Sequence, residues 1–586
     1  MRYLRMFSNA VIAGVAGAVY LSVLILQLNP RVPLFPTEIG PLVVTLTLSY
    51  GVHLAVIFYA LIVLRQLVAA KVVSPGWISL RLLSWLLTGA AAGTAALMWL
   101  NLRAFGPMLD PEAVRRMAAG AGALTGCALV FLAIALVHYS FGRPASLFGA
   151  SLLSLTALAS LALPITARGP GAPAPLESRA LGVDVGFSVA TSGPRVVVIL
   201  LDGASLDFIS AAAVEGRLPT FGKILDVGAA AHLATLQPTQ PNPVWTSVAT
   251  GKLPYKTGIR SNARYRVWLS EEPLELLPDF CFSQGLVRFG FMAEQPLTSA
   301  AVRARPVWSI LSGLGISVGV VGWPLTHPAQ PVRGYLVTDE FYKQDTLSAD
   351  PDDPSAVYPT EFLSAARLAA ASRANAETPR PASEAPPPSL PPEIAAGQSL
   401  AADRLYERVD RALQSSSPAR FAAIRYRLLD EAGHEYLRYA VPSAFGDVTD
   451  EERRRYGNVL ESCYSLIDGV VERAIASLEP GSLLLIVSGF GMEPQSFEKR
   501  MLQRAIGDRE LSGTHEGAPD GFMLAYGTMV APGRKTRASV VDVTPTVLYY
   551  LGLPVARDMD GFARADLFRP EFAETHPITF IPTYER

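Results

Sequence analysis

The first 168 residues contain five runs that carry no Asp, Glu, Lys or Arg. Each run is close to the length of about 20 residues that an α-helix needs to cross a bilayer. Buried helices of a soluble core are the alternative, but five uncharged runs in succession favour a membrane. The predicted spans cover residues 10–28, 40–64, 82–100, 118–138 and 145–165.

The basic residues around these spans predict their orientation. Arg2 and Arg5 precede the first span, and Arg65, Lys71 and Arg81 lie between the second and third. Such residues stay on the cytoplasmic side, so the odd number of spans places everything after about residue 170 outside. The first span could also be a cleaved signal peptide, but the four spans that follow favour an anchor. We expect an inner-membrane protein with a periplasmic C-terminal domain.

The charge balance excludes one class of partner. Charged residues make up 17% of the chain and the net charge is −1, which gives no basic field for nucleic acid. Cys127, Cys281 and Cys463 are too few for a disulfide framework or a cysteine zinc site. A Cys281–Cys463 disulfide is an alternative to two buried thiols, and the thiols are favoured.

The remaining sequence has the composition of a soluble domain. Residues 169–194 include Gly-Pro-Gly-Ala-Pro-Ala-Pro and predict a linker between the anchor, residues 1–168, and a domain over residues 195–575. A second stretch, residues 373–397, is rich in Pro, Ala, Ser and Glu, which predicts an insertion that does not fold by itself.

Short apolar runs alternate with helical patterns in this second domain. Alternation of this kind predicts an α/β fold with a doubly wound, mostly parallel sheet. Ligands of such sheets bind beyond the carboxyl ends of the strands. The predicted strands are residues 195–201, 316–322, 421–429, 483–488 and 522–526.

Four polar residues lie close to predicted strand ends. Asp202 follows the first strand, and Asp430 and His434 follow another at the i, i+4 spacing that allows one metal ion to be shared on a helix. His515 precedes the last strand. A turn aspartate, a surface ion pair and a structural histidine are the ordinary alternatives for these residues.

An ordered set of motifs makes the second domain more specific. Asp-Gly-Ala after a strand is followed by GRLPTFGKIL, PVWTSVATGKLPYKTGI, VGVVGWPLTHPAQPVRGYLVTDEF, SGTHEGAPDGFMLAYG and VVDVTPTVLYYLGLPVARDMDG. Over about residues 195–568 this set resembles the type I phosphodiesterase/nucleotide pyrophosphatase branch of the alkaline-phosphatase superfamily. The resemblance implies hydrolysis or transfer of phosphate esters with two zinc ions and a Thr or Ser nucleophile.

Carried over by motif, the resemblance implies one complete metal site. Asp430, His434 and His515 match the three ligands of one zinc ion, and Asp202 matches a ligand of the second. A His₂-carboxylate set with open positions suits a catalytic zinc. We expect one zinc ion at the complete site.

The second metal site and the nucleophile depart from the family pattern. The family has Asp-His-Gly after the strand that ends here in Ser488, but this chain reads Ser-Gly-Phe-Gly. Glu493 is a nearby alternative ligand. The position of the family's nucleophile falls on Pro241, and Thr239 is the candidate that remains.

Two functions follow from this pattern. One is a membrane-anchored phosphodiesterase-like metallohydrolase, or a phosphate-group transferase, that acts on a phosphate ester or lipid-linked substrate at the bilayer. The other is a catalytically inactive pseudoenzyme that binds or assembles an envelope protein partner. Two-metal phosphoryl transfer divides its work between both ions, so the missing ligands count against turnover as strongly as the motifs count for it. Both functions therefore stay open, and the phosphodiesterase-like hydrolase is preferred as the family-level assignment.

Overall fold

The computed structural model describes residues 1–68, 75–140, 147–171, 193–344, 353–371, 397–506 and 511–585. The predicted insertion at residues 373–397 and most of the linker at residues 169–194 lie outside these ranges. Contacts divide the chain into two units, of which the first joins the N-terminal helices with the segment Arg260–Leu297. The sequence assigns that segment to the second domain, so the domain boundaries remain a prediction.

The first unit contains the five predicted apolar helices, each long and apolar enough to cross a membrane. The second span contains a π-helical segment at Thr47–Gly51 and is therefore described as two helices. The helices are α1 (Arg2–Leu28), α2 (Pro36–Leu46), α3 (Val52–Val68), α4 (Leu80–Phe105), α5 (Pro111–Ile134) and α6 (Leu147–Arg168).

Helix α1 is central because most of its residues are buried. It approaches the second span closely at Gly14, where an added Cβ would lie 2.5 Å from the Gly51 carbonyl oxygen. Small residues allow helices in a membrane to pack backbone against backbone. The carbonyls at the end of α1 are satisfied by Arg168, whose guanidinium donates to Leu26 and Asn29.

The second unit contains a nine-stranded sheet in the order β13-β2-β12-β9-β1-β8-β5-β6-β7. Strands β9, β1, β8, β5 and β6 are parallel, and β12 and β7 run against their neighbours. All five predicted strands are present in this sheet, so the predicted α/β fold is confirmed. The strands of the sheet are β1 (Val196–Leu201), β2 (Ala229–Ala234), β5 (Val318–Val321), β6 (Gly334–Val337), β7 (Val357–Tyr358), β8 (Phe421–Tyr426), β9 (Leu483–Phe490), β12 (Asp520–Tyr526) and β13 (Arg534–Ser539).

Short strands pair outside this sheet. Strand β3 pairs with β4 in the first unit, while β10 pairs with β11 and β14 with β15 in the second. Their bounds are β3 (Ala263–Val267), β4 (Met292–Pro296), β10 (Glu493–Pro494), β11 (Gly513–Thr514), β14 (Val555–Ala556) and β15 (Phe580–Ile581).

Helices cover the sheet and complete its core. All eight residues of β9 are buried, as expected for a central parallel strand. The helices that follow α6 in chain order are α7 (Leu206–Val214), α8 (Pro219–Val227), α9 (Pro241–Thr250), α10 (Pro254–Thr257), α11 (Gln284–Arg288, in the first unit), α12 (Val307–Gly313), α13 (Phe341–Gln344), α14 (Leu363–Ala371), α15 (Gln398–Ser416), α16 (Leu428–Ala440), α17 (Asp450–Tyr456), α18 (Val459–Ala476), α19 (Phe497–Ile506), α20 (Val543–Tyr550) and α21 (Pro570–Thr575).

Candidate metal centre

The candidate site lies where three neighbouring parallel strands end. Strands β9, β1 and β8 are adjacent, so their carboxyl ends meet at one edge of the sheet. Asp202 follows β1, and helix α16 with Asp430 and His434 follows β8. The sheet topology thus collects residues that are more than two hundred positions apart in sequence.

Helix α16 fixes the first two polar side chains. Its first backbone amides are satisfied by Asp403, whose carboxylate accepts from the N–H groups of Arg427 and Leu428 at 2.9–3.0 Å. Asp430 and His434 then lie one turn apart on the same face, with 3.7 Å between His434 Nε2 and Asp430 Oδ1. The helix begins earlier than the sequence pattern indicates, and both residues belong to it.

His515 completes a cluster of three ligand-type side chains. It follows the short strand β11, and its Nε2 lies 2.6 Å from Asp430 Oδ1. One ligand atom from each of Asp430, His434 and His515 lies within 4.8 Å of the others. The side chains of Asp430 and His434 keep 31% and 27% of their surface exposed, so the cluster is open to a ligand from solvent.

Backbone carbonyls orient both imidazole rings. His434 Nδ1 lies 2.8 Å from the Gly513 carbonyl oxygen, and His515 Nδ1 lies 2.8 Å from that of Gly491. A carbonyl only accepts, so each Nδ1 carries a proton and each Nε2 faces Asp430. A metal-binding histidine is usually held by such a bond, and the donor set therefore fits a divalent cation.

Asp430 and His515 shift each other's pKa in opposite directions. Burial alone would raise the pKa of Asp430, but the hydrogen bond and the charge of His515 outweigh it and hold that pKa below its usual value. Burial would likewise lower the pKa of His515, but Asp430 outweighs burial and raises it. Each of the two side chains therefore stabilises the charged form of the other.

Asp202 does not stand alone, because it pairs with Arg425 of strand β8. Arg425 Nε donates to Asp202 Oδ2 at 2.8 Å, and its Nη2 donates to the same oxygen. Burial raises the pKa of Asp202, and Arg425 opposes that shift. The other carboxylate oxygen, Oδ1, is buried and has no hydrogen-bond partner within the described ranges.

Apolar groups stand where the family's Asp-His-Gly is expected. Those positions are Gly489, Phe490 and Gly491, and a Cβ on Gly489 would lie 2.5 Å from Val244 Cγ1. The Phe490 ring is fully buried and packs edge-on against His515 at 4.6 Å between centroids. Glu493, the alternative ligand, instead accepts from the Gly517 N–H at 2.8 Å.

The candidate nucleophile lies just before helix α9. Thr239 is buried, and its hydroxyl donates to the Leu236 carbonyl at 2.9 Å. Pro241 is the first residue of α9, a position where proline is favoured because no partner for its missing N–H is needed. The family's nucleophile position therefore holds a residue that serves helix initiation.

Two residues with a role at this edge of the sheet are absent from the sequence-based prediction. Arg425 interrupts an otherwise apolar strand, Phe-Ala-Ala-Ile-Arg-Tyr, and a charge within a buried strand is the signal that it has a buried partner. Asp403 lies on α15, far from the motifs, and no sequence pattern connects it with α16. Cys127, Cys281 and Cys463 are free thiols.

The domain has recognisable relatives. The family model for type I phosphodiesterase/nucleotide pyrophosphatase matches residues 196–541. No curated protein matches the chain significantly. Among solved structures, murine ectonucleotide pyrophosphatase/phosphodiesterase 5 in complex with AMP matches with 13% identity and a TM-score of 0.38, covering 64% of this chain and 100% of that one. The human protein of the same name matches with 14% identity, the same coverage and the same TM-score.

Proposed function

Because the chain belongs to the type I phosphodiesterase/nucleotide pyrophosphatase family, we propose that it is a membrane-anchored, phosphodiesterase-like metallohydrolase or phosphate-group transferase that binds one divalent ion. The observation that carries the proposal is the cluster of Asp430, His434 and His515 within 4.8 Å. It lies beyond the carboxyl ends of parallel strands, where this class of fold binds its ligands.

Zinc is the ion that the donor set favours. Two imidazole nitrogens and one carboxylate, with the remaining positions open, are typical of catalytic zinc. When bound, such an ion supplies a Lewis acid that stabilises negative charge on a phosphoryl oxygen. The two backbone carbonyls that hold the imidazole rings keep both Nε2 atoms directed at the ion position.

We propose that Arg425 takes over the electrostatic role of a second ion toward Asp202. A buried carboxylate needs a cation, and the guanidinium supplies one that is covalently attached. With Gly489 and Phe490 in place of the family's Asp and His, Asp202 is the single family ligand left at that position. Two contacts to one carboxylate oxygen make a second exchangeable ion unnecessary.

The candidate nucleophiles are the Thr239 hydroxyl and a water molecule. The Thr239 hydroxyl donates to the Leu236 carbonyl, and a hydroxyl that attacks phosphorus must instead give its proton to a base. Thr239 lies two residues before Pro241, the position of the family's nucleophile, and this closeness supports Thr239 as the nucleophile. Metal content and the Thr239 variant together distinguish the two nucleophiles.

The substrate is expected at the membrane surface. Five apolar helices support anchoring in the bilayer, and the basic residues before the first span support an extracytoplasmic, periplasmic domain of an inner-membrane protein. A phosphate ester, free or lipid-linked, is the substrate class that the family implies. Nucleic acid is not expected, since the net charge of −1 supplies no attraction to it.

A second candidate function is favoured by two observations. Pro241 stands at the nucleophile position, and the Phe490 ring occupies the place of a ligand. A pseudoenzyme that keeps the fold and one ion, and that binds an envelope protein partner, is consistent with both. Turnover decides between the two functions.

The test is elemental analysis of the purified full-length protein, together with hydrolysis of a generic aryl phosphodiester. The enzyme function predicts one ion per chain and weak turnover that Asp430→Ala abolishes. Turnover that survives in Thr239→Ala identifies water as nucleophile, and turnover that is lost identifies the threonine. An ion without turnover in any form supports the pseudoenzyme, and no ion at all contradicts both.

A further inference from the structure

The segment Arg260–Leu297, defined here as the interface segment, belongs by its contacts to the unit with the membrane helices. Its strands β3 and β4 form an antiparallel hairpin, and β3 pairs further with the chain at Leu274. Its inward side packs on helices α1 and α2 through one continuous apolar cluster that includes Tyr265, Val267 and Leu277.

Three polar side chains of the helices hold the backbone of the interface segment. Asn29, directly after α1, accepts from the N–H groups of Glu275 and Leu276 at 2.7 and 3.0 Å and donates to the Leu276 carbonyl at 2.8 Å. Asn101 of α4 holds both backbone groups of Asp279 in the same way. These amides match peptide groups of the segment and fix its position against the helices.

Glu38, in the first turn of α2, is the third of these side chains. Its buried carboxylate accepts from the Ser270 hydroxyl and from the Glu272 N–H. Asn29 follows the end of α1, Glu38 begins α2 and Asn101 lies near the end of α4. In helices that cross a membrane alternately, these three positions lie at the same end, so the interface segment lies at the level of one membrane–water boundary.

The interface segment exposes five large apolar side chains at 57–79% of their surface, namely Trp268, Leu269, Phe280, Phe282 and Phe289. Exposed charged residues, Glu271, Asp279 and Arg288, lie between them in sequence. Soluble proteins rarely leave such a set uncovered. The helices add Phe35 and Trp99, both exposed and both near the same end of the spans. Aromatic side chains concentrate at this level of a membrane because their rings are apolar while the boundary is polar.

The backbone presents three of these side chains in an unfavourable conformation. Leu269, Phe280 and Phe282 have φ values of 64°, 64° and 52°. Bulky residues rarely adopt positive φ, because the conformation is strained unless other contacts compensate it. Burial of each ring or side chain in lipid supplies such a compensation.

We propose that the interface segment inserts its exposed apolar side chains into the bilayer leaflet at the end of α1. This insertion forms a second membrane contact of the chain, one that does not span the bilayer. The medium around these side chains is the headgroup–acyl boundary of the bilayer, because they continue the boundary already set by α1, α2 and α4. The proposal holds whether or not the domain turns over substrate.

The test measures membrane depth in the full-length protein in phosphatidylglycerol/phosphatidylethanolamine vesicles. A nitroxide is attached at Phe282→Cys or Phe289→Cys in a Cys281→Ser background, since Cys127 and Cys463 are buried. The matched control is Phe562→Cys, an exposed phenylalanine of the second unit. Spin relaxation by oxygen reports lipid, and relaxation by a water-soluble nickel complex reports solvent.

The proposal expects labels at residues 282 and 289 to be relaxed several-fold more by oxygen, relative to nickel, than the label at residue 562. Equal ratios at the two kinds of site would overturn it. Protection of residues 282 and 289 from both reagents would also overturn it, because a protein partner or a second copy would then cover these side chains.

Discussion

The candidate site has two halves, which lie at the carboxyl ends of neighbouring strands of one sheet. They differ in the side chains that occupy them. In one half, Asp430, His434 and His515 direct three ligand atoms at a common point and remain partly open to solvent. In the other half, Asp202 is paired with Arg425, and the Phe490 ring is packed against the site. Under the proposed function, one half receives an exchangeable cation, and the other carries its cation, the Arg425 guanidinium, on a side chain.

The second half thus differs from the family pattern in more than its missing ligands. Removing an ion from Asp202 would leave a buried charge that costs several kcal/mol unless another cation is supplied. Arg425 supplies it, and Val244 takes up the space beside Gly489. The second half is therefore a packed structure of its own, and restoring two ligands would not by itself restore an ion site.

The largest expected effect is on the open half. Asp430→Ala removes the carboxylate shared by both histidines, so tight binding of a divalent ion should be lost, as measured by elemental analysis and titration calorimetry. Glu493→Gln is the control, because Glu493 lies near the site but bonds to the Gly517 N–H. Loss of the ion in Glu493→Gln as well would contradict the assignment of the ligands.

Arg425 should be the next most sensitive position. Arg425→Met leaves Asp202 buried without its cation, which should lower the free energy of unfolding by about 3–5 kcal/mol. Arg411→Met is the control, since Arg411 is half-exposed and pairs with Glu407 on the same helix face, a pair worth about 0.5 kcal/mol. Denaturation of both variants in the same detergent gives the comparison, and equal losses would show that the Asp202 pair has no special role.

A smaller effect tests whether the packed half has room for a ligand. Gly489→Ala places a methyl group against Val244 and should cost about 1–3 kcal/mol as overpacking. The same change combined with Val244→Ala should cost less than the sum of the two single changes. Gly313→Ala, where an added Cβ meets nothing within 4 Å, should be neutral or slightly stabilising. Additive costs in the double variant would indicate that the space beside Gly489 is open.

The pH dependence of stability should report on the helix that carries the open half. Burial raises the pKa of Asp403 to about 7, although hydrogen bonds from the backbone N–H groups of Arg427 and Leu428 oppose this shift. Between the unfolded value near 3.8 and this value the folded state holds a proton that the unfolded state has released, so stability falls as pH rises through that window. The slope reaches at most about 1.4 kcal/mol per pH unit.

Asp403→Asn removes this titration and should flatten the dependence between about pH 4 and 7. Asp450→Asn is the control, because Asp450 is exposed at the start of α17 and should leave the slope unchanged. An unchanged slope in Asp403→Asn would show that Asp403 is ionised throughout the folded state.

The fold and the open half were accessible from sequence for a physical reason. Apolar runs of strand length and the i, i+4 spacing of Asp430 and His434 are patterns among neighbouring residues, and such patterns can be recognised in the sequence alone. The five apolar helices were predicted for the same reason, and they are present. The resemblance to the phosphodiesterase family is confirmed by the match over residues 196–541.

The remaining features depend on contacts between distant residues. Arg425 is 223 positions in sequence from its partner Asp202. Asp403 of α15 accepts a hydrogen bond from the backbone N–H of Arg427 at the start of α16, 24 positions away. The interface segment interrupts the family's own motifs, yet its contacts are with helices that precede it by more than 150 residues. No local pattern predicts such pairs, although the arginine in the apolar strand β8 indicates that one exists.

The number of zinc ions per chain shows whether one half of the site holds an exchangeable ion and the other does not. It is measured by elemental analysis of wild type and Arg425→Met side by side, after purification and equilibration with excess zinc. We expect one ion in the wild type, bound through Asp430, His434 and His515, and no second ion in the variant. Two tightly bound ions in the wild type would contradict this difference between the two halves.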